Sequence, residues 1–149
     1  MVCLGNICRS PTAEAVFRDQ VAKRGLGQKW FVDSAGTSDW FAGELPERRA
    51  RKIMLMHGLR DDHEARPLTD RDFHAHDFIL GMDYQNVNDI KNMKPESSHA
   101  IIGMLGHYDP DDDSEIQDPY FRNDDQLYQL CYERCLRAVS AFLDRHKDI

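Results

Sequence analysis

A cysteine and an arginine near the start of the chain have the spacing of an oxyanion-binding loop. Five residues separate Cys3 from Arg9 in the run CLGNICR. Such a loop can turn its backbone N–H groups inward around a tetrahedral anion, and the planar guanidinium can grip two of the anion's oxygens. Gly5 and Asn6 tolerate the positive φ angles that a tight loop needs. The run therefore predicts a phosphate site with a thiol nucleophile at its floor.

A helix is predicted to begin directly after this loop. Ser10 suits an N-cap and Pro11 a first helical position, and Gly25 ends a helical pattern that runs from about residue 11 to 24. The helix N-terminus adds positive potential and free N–H donors, and the same field favours a nucleophilic thiolate at Cys3. The alternative interpretation of the run is a buried cysteine followed by a turn, since free cysteines are usually core residues.

Hydrolysis of a phosphate ester through cysteine also needs an acid for the leaving group. Asp118 is the best candidate, because Pro119 after it favours an extended conformation on a loop. Tyr120 and Phe121 follow and can form an aromatic wall beside a phenyl ring. Glu14 is less suitable, because a negative charge close to the phosphate would repel it. Taken alone, Asp-Pro-Tyr would indicate a surface turn.

Short apolar runs alternate with helical segments along the chain, which predicts a parallel sheet with helices on both faces. The residues before Cys3 are expected to belong to the first strand, and further strands are predicted at 30–32, 78–80 and 100–105. Helices are predicted at about 11–24, 46–57, 83–91 and 124–146, with a short one capped by Thr69. No repeat, linker or low-complexity tract interrupts this pattern, so residues 1–149 are expected to form one domain.

Composition excludes several other classes of function. The 149 residues include 19 basic and 26 acidic ones, for a net charge of −7, which argues against nucleic acid or an anionic membrane as the main partner. No apolar stretch is long enough to span a bilayer and no leader pattern is present, so a cytoplasmic protein is expected. Four cysteines without a C-x2-C pair predict neither a disulfide scaffold nor a zinc site. No metal and no cofactor are expected.

The chain resembles the low-molecular-weight protein tyrosine phosphatases over nearly all of its length. The shared motifs are Cys3–Pro11, Asp33–Gly36, Met82–Asp83 and Asp118–Tyr120, in the family's order and roughly its spacing. The resemblance implies an α/β three-layer sandwich with a four-stranded parallel sheet, helices on both faces and the phosphate loop between the first strand and first helix. It also implies hydrolysis of phosphotyrosine in proteins through a phosphocysteine on Cys3, so phosphotyrosyl proteins would be the partners.

The resemblance further implies a role for each matching residue. Cys3, Arg9 and Asp118 would be catalytic, with Asp118 the general acid and base. The residues that bind phosphate would be Leu4, Gly5, Asn6, Ile7, Cys8 and Ser10. The residues that support the loop would be Ser34, His63 and Asp83. The substrate cleft would be lined by Ile7, Trp40, Tyr120 and Phe121. Ser10 would also donate to the Cys3 thiolate. Many relatives have a second tyrosine at position 121, and related arginine phosphatases carry threonine at position 7.

Two details of the resemblance lead to further expectations. Only Met1 and Val2 precede Cys3, whereas family members carry several more residues there, so either the first strand is very short or the numbering starts inside it. Cys8 lies five residues after Cys3, a spacing that the family shares. Oxidation of Cys3 is expected to allow a protective disulfide with Cys8; the alternative is that Cys8 only packs beneath the loop.

Two rival functions remain to be weighed against phosphatase activity. Arsenate reductases share this fold and loop, but they need two further cysteines in mid-chain, and none lies between Cys8 and Cys131. A phosphotyrosine-binding module without turnover would not need Cys3, Arg9 and Asp118 together. The sequence does not define the physiological substrate or the oligomeric state.

Overall fold

The computed structural model describes residues 1–149 as a sheet flanked by helices. The strands are β1 Val2–Cys3, β2 Ala35–Gly36, β3 Phe78–Gly81 and β4 Ile101–Met104. The α-helices are α1 Arg9–Lys23, α2 Arg48–Met56, α3 Asp70–Ala75, α4 Tyr84–Met93 and α5 Gln126–Arg145, with a short 3-10 helix at Leu105–Tyr108. No helix combines the length and the apolar composition needed to cross a bilayer.

All four strands are parallel and lie in the order β2-β1-β3-β4. Because successive strand residues face opposite sides of a sheet, Leu80 joins a large apolar cluster with residues of α1 and α5. Its neighbour Ile79 joins a second cluster with Phe73 of α3 and Ile90 of α4. The predicted α/β sandwich with helices on both faces is confirmed.

The topology brings the phosphate loop to a favourable edge of the sheet. β1 ends at Cys3, and residues 4–8 connect it to α1. β2 lies on one side of β1, whereas β3 and β4 lie on the other. Open parallel sheets bind ligands at the carboxyl ends of their strands where the strand order reverses, and Cys3 occupies that position.

Two local predictions were wrong. No strand forms at 30–32, and the strand of this region is Ala35–Gly36. Trp30 packs edge-on against Phe17 and Phe142, so its apolar character serves contact with helices rather than strand pairing.

The first helix also begins earlier than predicted. Cys8, not Ser10, occupies its N-cap position without a side-chain capping bond, and Pro11 lies at the third helical position. Ser10 does not cap because its hydroxyl is used by the neighbouring Cys3 and Asn6.

Thr69 occupies the N-cap position of α3, as predicted, and two other helices have side-chain caps. α2 begins at Arg48, where the Glu47 side chain accepts from the N–H of Arg49. α4 begins after Asp83, whose side chain accepts from the N–H of Asn86 at 2.7 Å. Asp83 is thereby fixed at the end of β3, facing the phosphate loop.

Candidate active site

The phosphate loop, residues 3–9, is tied to the protein through its carbonyl groups. The carbonyls of Cys3, Leu4 and Ile7 accept from the N–H groups of Thr37, Ser38 and Glu47 at 2.8, 3.1 and 2.7 Å. The N–H groups of residues 4, 5, 7 and 8 donate to no protein acceptor. With carbonyls directed outward and amides left free, the loop has the arrangement of an anion-binding nest.

Two residues of the loop adopt conformations that their side chains explain. Asn6 has φ 58°, in the left-handed region that asparagine tolerates better than most residues. Gly5 does not have a positive φ, contrary to the prediction. Glycine is required there by space instead, because a Cβ would lie 2.9 Å from Cδ2 of Phe41.

The Cys3 thiol lies beneath the free amides and has two polar neighbours. Its Sγ is 3.0 Å from the Ser10 hydroxyl and 3.3 Å from the N–H of Asn6. The Ser10 hydroxyl already accepts from Asn6 Nδ2 at 2.7 Å, so its own proton is available to Cys3. Both groups can donate to a thiolate, as the sequence predicts for Ser10.

A buried network behind the loop fixes the Asn6 side chain. Its amide group donates to Ser34 Oγ at 3.0 Å, and its Oδ1 lies 2.7 Å from His63 Nε2. Ser34 in turn donates to Glu14 Oε1 at 2.8 Å. His63 Nδ1 is 3.2 Å from the same Glu14 oxygen. The structure thus brings Asn6, Ser34 and His63 together, but beneath the cleft rather than in its lining.

Sequence reasoning missed two members of this network. Glu14, set aside for its charge, is buried on α1 and faces Ser34 rather than the phosphate side. Arg66 donates its backbone N–H to Asn6 Oδ1 at 3.0 Å and a guanidinium N–H to Asp33 at 3.0 Å. Neither belongs to a local motif; the only available signal for Glu14 was its position one turn after Ser10 on the predicted helix.

Glu14, Asp33 and His63 also offer ligand atoms within 4.8 Å of one another. Glu14 is bonded to Ser34, and Asp33 accepts from Ser34 N–H and from Arg66. Burial alone would raise the pKa of Asp33, but these two donors outweigh it and lower that pKa below its usual range. We therefore interpret the cluster as hydrogen-bonded support of the loop.

Arg9 joins the phosphate loop to two aspartates. Its Nη1 donates to Asp83 Oδ2 at 2.6 Å and to the Ile116 carbonyl at 3.1 Å, and its Nη2 lies 3.4 Å from Asp118 Oδ2. Burial would lower the pKa of Arg9, but the charges of Cys3, Asp118 and Asp83 more than offset it and raise that pKa. Its Nε–H is buried with no acceptor in the protein. The guanidinium is therefore charged and held in place, and its Nε–H remains free to donate a hydrogen bond.

Asp118 lies on a second loop, residues 117–124, which we call the acid loop. Its Oδ1 accepts from the N–H of Tyr120 at 3.0 Å, and its side chain is about one quarter exposed. This carboxyl shares one cleft with Cys3 and Arg9. The three residues therefore line the same opening.

Apolar and aromatic side chains form the walls of the cleft. The lining includes Leu4, Gly5, Ile7, Cys8, Trp40, Phe41, Tyr120 and Phe121. Trp40 and Phe121 are 67% and 71% exposed, so both stand at the rim. Phe41, which the sequence analysis missed, meets Tyr120 edge-on at 5.7 Å and joins the two sides. The opening suits a flat aromatic group.

Cys8 differs from Cys3 in its surroundings. Its thiol is buried and lies 3.9 Å from the Tyr128 hydroxyl. Burial and the nearby charge of Cys3 raise the pKa of Cys8 far above its usual range. Cys8 is therefore a protonated thiol at neutral pH and does not compete with Cys3 as the nucleophile. All four cysteines are free and buried, and Cys131 and Cys135 lie in the apolar core.

Comparison with known proteins identifies the family of this chain. A family model described as low molecular weight phosphotyrosine protein phosphatase matches residues 1–148. The chain belongs to this family. It is 43% identical over 146 residues to the low molecular weight phosphotyrosine protein phosphatase of Homo sapiens, covering 97% of this chain and 92% of the human protein.

Solved structures of phosphatases also share the fold of this family member. A protein tyrosine phosphatase from Entamoeba histolytica superposes with a TM-score of 0.93 at 30% identity, over 99% of this chain and 94% of the other. A Drosophila arginine phosphatase superposes with a TM-score of 0.93 at 36% identity, over 99% and 96% of the two chains. Structural similarity alone therefore does not distinguish the two phosphorylated side chains.

Proposed function

We propose that this chain hydrolyses phosphotyrosine in proteins through a phosphocysteine intermediate on Cys3. The observation that carries the proposal is the meeting of three groups in one cleft: the Cys3 thiol, the Arg9 guanidinium and the Asp118 carboxyl. Each supplies a part that phosphoryl transfer needs, namely a nucleophile, an anion clamp and an acid. Membership of the family supports the substrate class.

In the first step, Cys3 Sγ attacks the phosphorus atom and the bond to the tyrosyl oxygen breaks. The three non-bridging oxygens lie among the free amides of the phosphate loop and the Nε–H of Arg9. The departing phenolate takes its proton from Asp118. Arg9 lies near both the thiol and the acid, so it stabilises charge that builds on the phosphoryl group between them.

In the second step, water hydrolyses the phosphocysteine. Asp118, now a carboxylate, takes a proton from the water. The water oxygen attacks the phosphorus atom, and the S–P bond breaks. Inorganic phosphate leaves, and Cys3 returns as a thiolate. Ser10 and the N–H of Asn6 lie at 3.0 and 3.3 Å from Sγ and stabilise this leaving thiolate.

We also propose that residues 1–149 act as one domain in a reducing compartment such as the cytoplasm. The single sheet supports the first statement. Four buried thiols without a disulfide support the second.

Phosphoarginine is a second candidate substrate, because an arginine phosphatase shares the fold at 36% identity. Ile7, where related arginine phosphatases carry threonine, and the aromatic walls favour phosphotyrosine instead. The test is kcat/KM on matched peptides that carry phosphotyrosine, phosphoserine or phosphoarginine. The phosphotyrosyl peptide should have the highest value; a higher value for phosphoarginine would replace this proposal with the second.

The same measurement on Trp40→Ala tests the aromatic cleft. This variant should lose affinity for the phosphotyrosyl peptide, seen as a raised KM. Phe31→Ala is the matched control, because Phe31 is 73% exposed but stacks on His76, outside the cleft. Equal KM values in the two variants would contradict the role given to Trp40.

A further inference from the structure

Helix α2 carries a basic surface on a chain whose net charge is −7. Four of its nine residues are Arg or Lys and none is acidic. Arg51 bonds to Asp61, and Arg49 bonds to Glu47 and lies over the Tyr128 ring. Arg48 and Lys52 are exposed and form no ion pair. Two positive charges of this helix are thus available to an outside partner.

These charges surround an exposed apolar spot. Leu55 and Met56 are 61% and 66% exposed, and together with Arg48, Arg51 and Lys52 they line a shallow depression. We call these five residues the α2 surface. An apolar floor with a cationic margin matches a segment that carries carboxylates beside an apolar side chain.

Helix α2 begins beside the two loops that form the catalytic cleft. The N–H of Glu47, one residue before α2, donates to the carbonyl of Ile7 in the phosphate loop at 2.7 Å. Arg49 Nη1 donates to the carbonyl of Arg122 in the acid loop at 3.3 Å. The helix therefore starts next to the phosphate loop and the acid loop and extends for about 12 Å, at about 1.5 Å per residue. An extended peptide covers that length with about four residues.

We propose that the α2 surface binds an acidic segment flanking the phosphotyrosine of a protein substrate. This inference rests on the proposed function, since the phosphotyrosine anchors the peptide in the cleft. Acidic residues a few positions from the phosphotyrosine then reach Arg48 and Lys52, and an apolar residue among them meets Leu55 and Met56. Charge complementarity selects this partner, and the adjoining cleft makes it a part of the substrate.

The test compares kcat/KM for phosphotyrosyl peptides that differ only in their flanks. One set carries Asp or Glu with one Leu on either side of the phosphotyrosine, and the other carries Ser and Gly. The wild-type protein should favour the acidic peptides by about two- to tenfold, as expected for two exposed ion pairs, and the preference should shrink as salt is added.

Charge reversal on the α2 surface should remove this preference. In Arg48→Glu/Lys52→Glu, the ratio of acidic to neutral kcat/KM should fall to one or below. The matched control is Arg71→Glu/Lys91→Glu, which changes the net charge equally at exposed residues of α3 and α4. The control should keep the wild-type ratio. Because each protein is its own reference through the neutral peptide, a small loss of folding does not imitate the effect.

Three outcomes would overturn the inference. One is a wild-type ratio of one, another is an equal fall in both double variants, and the third is lost binding to phosphatidylserine vesicles in Arg48→Glu/Lys52→Glu with no change in the ratio. The last would assign the surface to a membrane instead. Failure of the proposed function is a separate result, in which the wild-type protein hydrolyses neither phosphotyrosyl peptide.

Discussion

The phosphate loop and the acid loop meet in one cleft, but they are held in different ways. The phosphate loop has three carbonyls bonded to two neighbouring segments, and its Asn6 side chain is fixed by the buried network. The acid loop has two long-range hydrogen bonds, from Arg9 to Asp118 at 3.4 Å and from Arg49 to Arg122 at 3.3 Å. Segments with few buried contacts open at low energy. We therefore expect a preformed anion site and a more adjustable position for Asp118.

The largest effect is expected from the nucleophile in the rigid loop. Cys3→Ser should lower kcat on an aryl phosphate by at least about 10⁴-fold, because serine in this setting has no base to activate it. Binding of the aryl phosphate, measured by titration calorimetry, should persist because the amides and Arg9 remain. Near-normal turnover would exclude the phosphocysteine mechanism.

Removal of the acid should lower kcat less than removal of the nucleophile does. Asp118→Asn should lower kcat by about 10²–10⁴-fold, the usual worth of a positioned acid. The loss should shrink for aryl phosphates whose leaving groups depart without a proton. Rates measured across leaving groups of different pKa test this; a uniform loss would sink the assignment of Asp118 as the acid.

A change in the support network should separate the two loops most clearly. Asn6→Ala removes several buried hydrogen bonds and a residue suited to φ 58°, so it should lower the free energy of unfolding by about 2–4 kcal/mol and also reduce kcat. Phe121→Ala, at the exposed end of the acid loop, should leave unfolding within about 0.5 kcal/mol. Denaturant titrations of both variants test the comparison, and equal destabilisation would show that the acid loop is also rigid.

The contribution of the segment before the acid loop to folding stability should depend on pH. Buried Asp109 bonds to Arg134 at 2.7 Å and Arg137 at 3.0 Å. Burial would raise the pKa of Asp109, but Arg137, the Asp111 N–H and Arg134 outweigh it and lower that pKa. A lowered pKa stabilises the fold above the unfolded value of about 3.9, and this stability is lost as the pH falls through the folded value.

Asp109→Asn should therefore be less stable than the wild type by about 3 kcal/mol at pH 7, since it leaves a buried cation without its partner. This difference in the free energy of unfolding between the variant and the wild type should become smaller below pH 4. Unfolding curves at pH 7 and pH 3.5 measure it, and a constant difference would contradict the linkage.

The smallest effect on turnover is expected at Cys8. Cys8→Ser should retain activity before oxidation, since Cys8 is a protonated thiol. After peroxide treatment, a dithiol should restore wild-type activity but not that of Cys8→Ser, because oxidation of Cys3 removes the charge that helps keep Cys8 protonated and lets it form a disulfide. Equal recovery in both proteins, without a Cys3–Cys8 linked peptide by mass spectrometry, would remove this redox role.

The comparison also explains which features the sequence could predict. The phosphate loop is a local motif, so Cys3 and Arg9 could be identified from their spacing, whereas the bond between Ser10 and Cys3 was implied by the family resemblance. Asp118 lies more than one hundred residues away, and its own motif indicates only a surface turn; it became a candidate because the chemistry of the loop needs an acid, and the family resemblance supported that choice. Glu14 and Phe41 were missed because their roles arise from segments that meet only in the folded chain.

Local errors have similar physical causes. Trp30 looks like a strand residue by composition, but its ring packs against helix residues. Ser10 has the properties of an N-cap, but its hydroxyl bonds to Cys3 and Asn6. At both positions the side chain makes a tertiary contact instead of the local interaction that the sequence pattern predicts.

The outward-tied carbonyls of the phosphate loop have a consequence for release as well as capture. The amides around the Cys3 thiol offer only donors, so we expect the floor of the cleft to recognise the shape and charge of a tetrahedral anion rather than phosphorus itself. Inorganic phosphate, the product, meets the same amides as the substrate. Turnover is therefore expected to slow as phosphate accumulates, with competitive inhibition, so the activity of this chain follows the phosphate concentration of its surroundings.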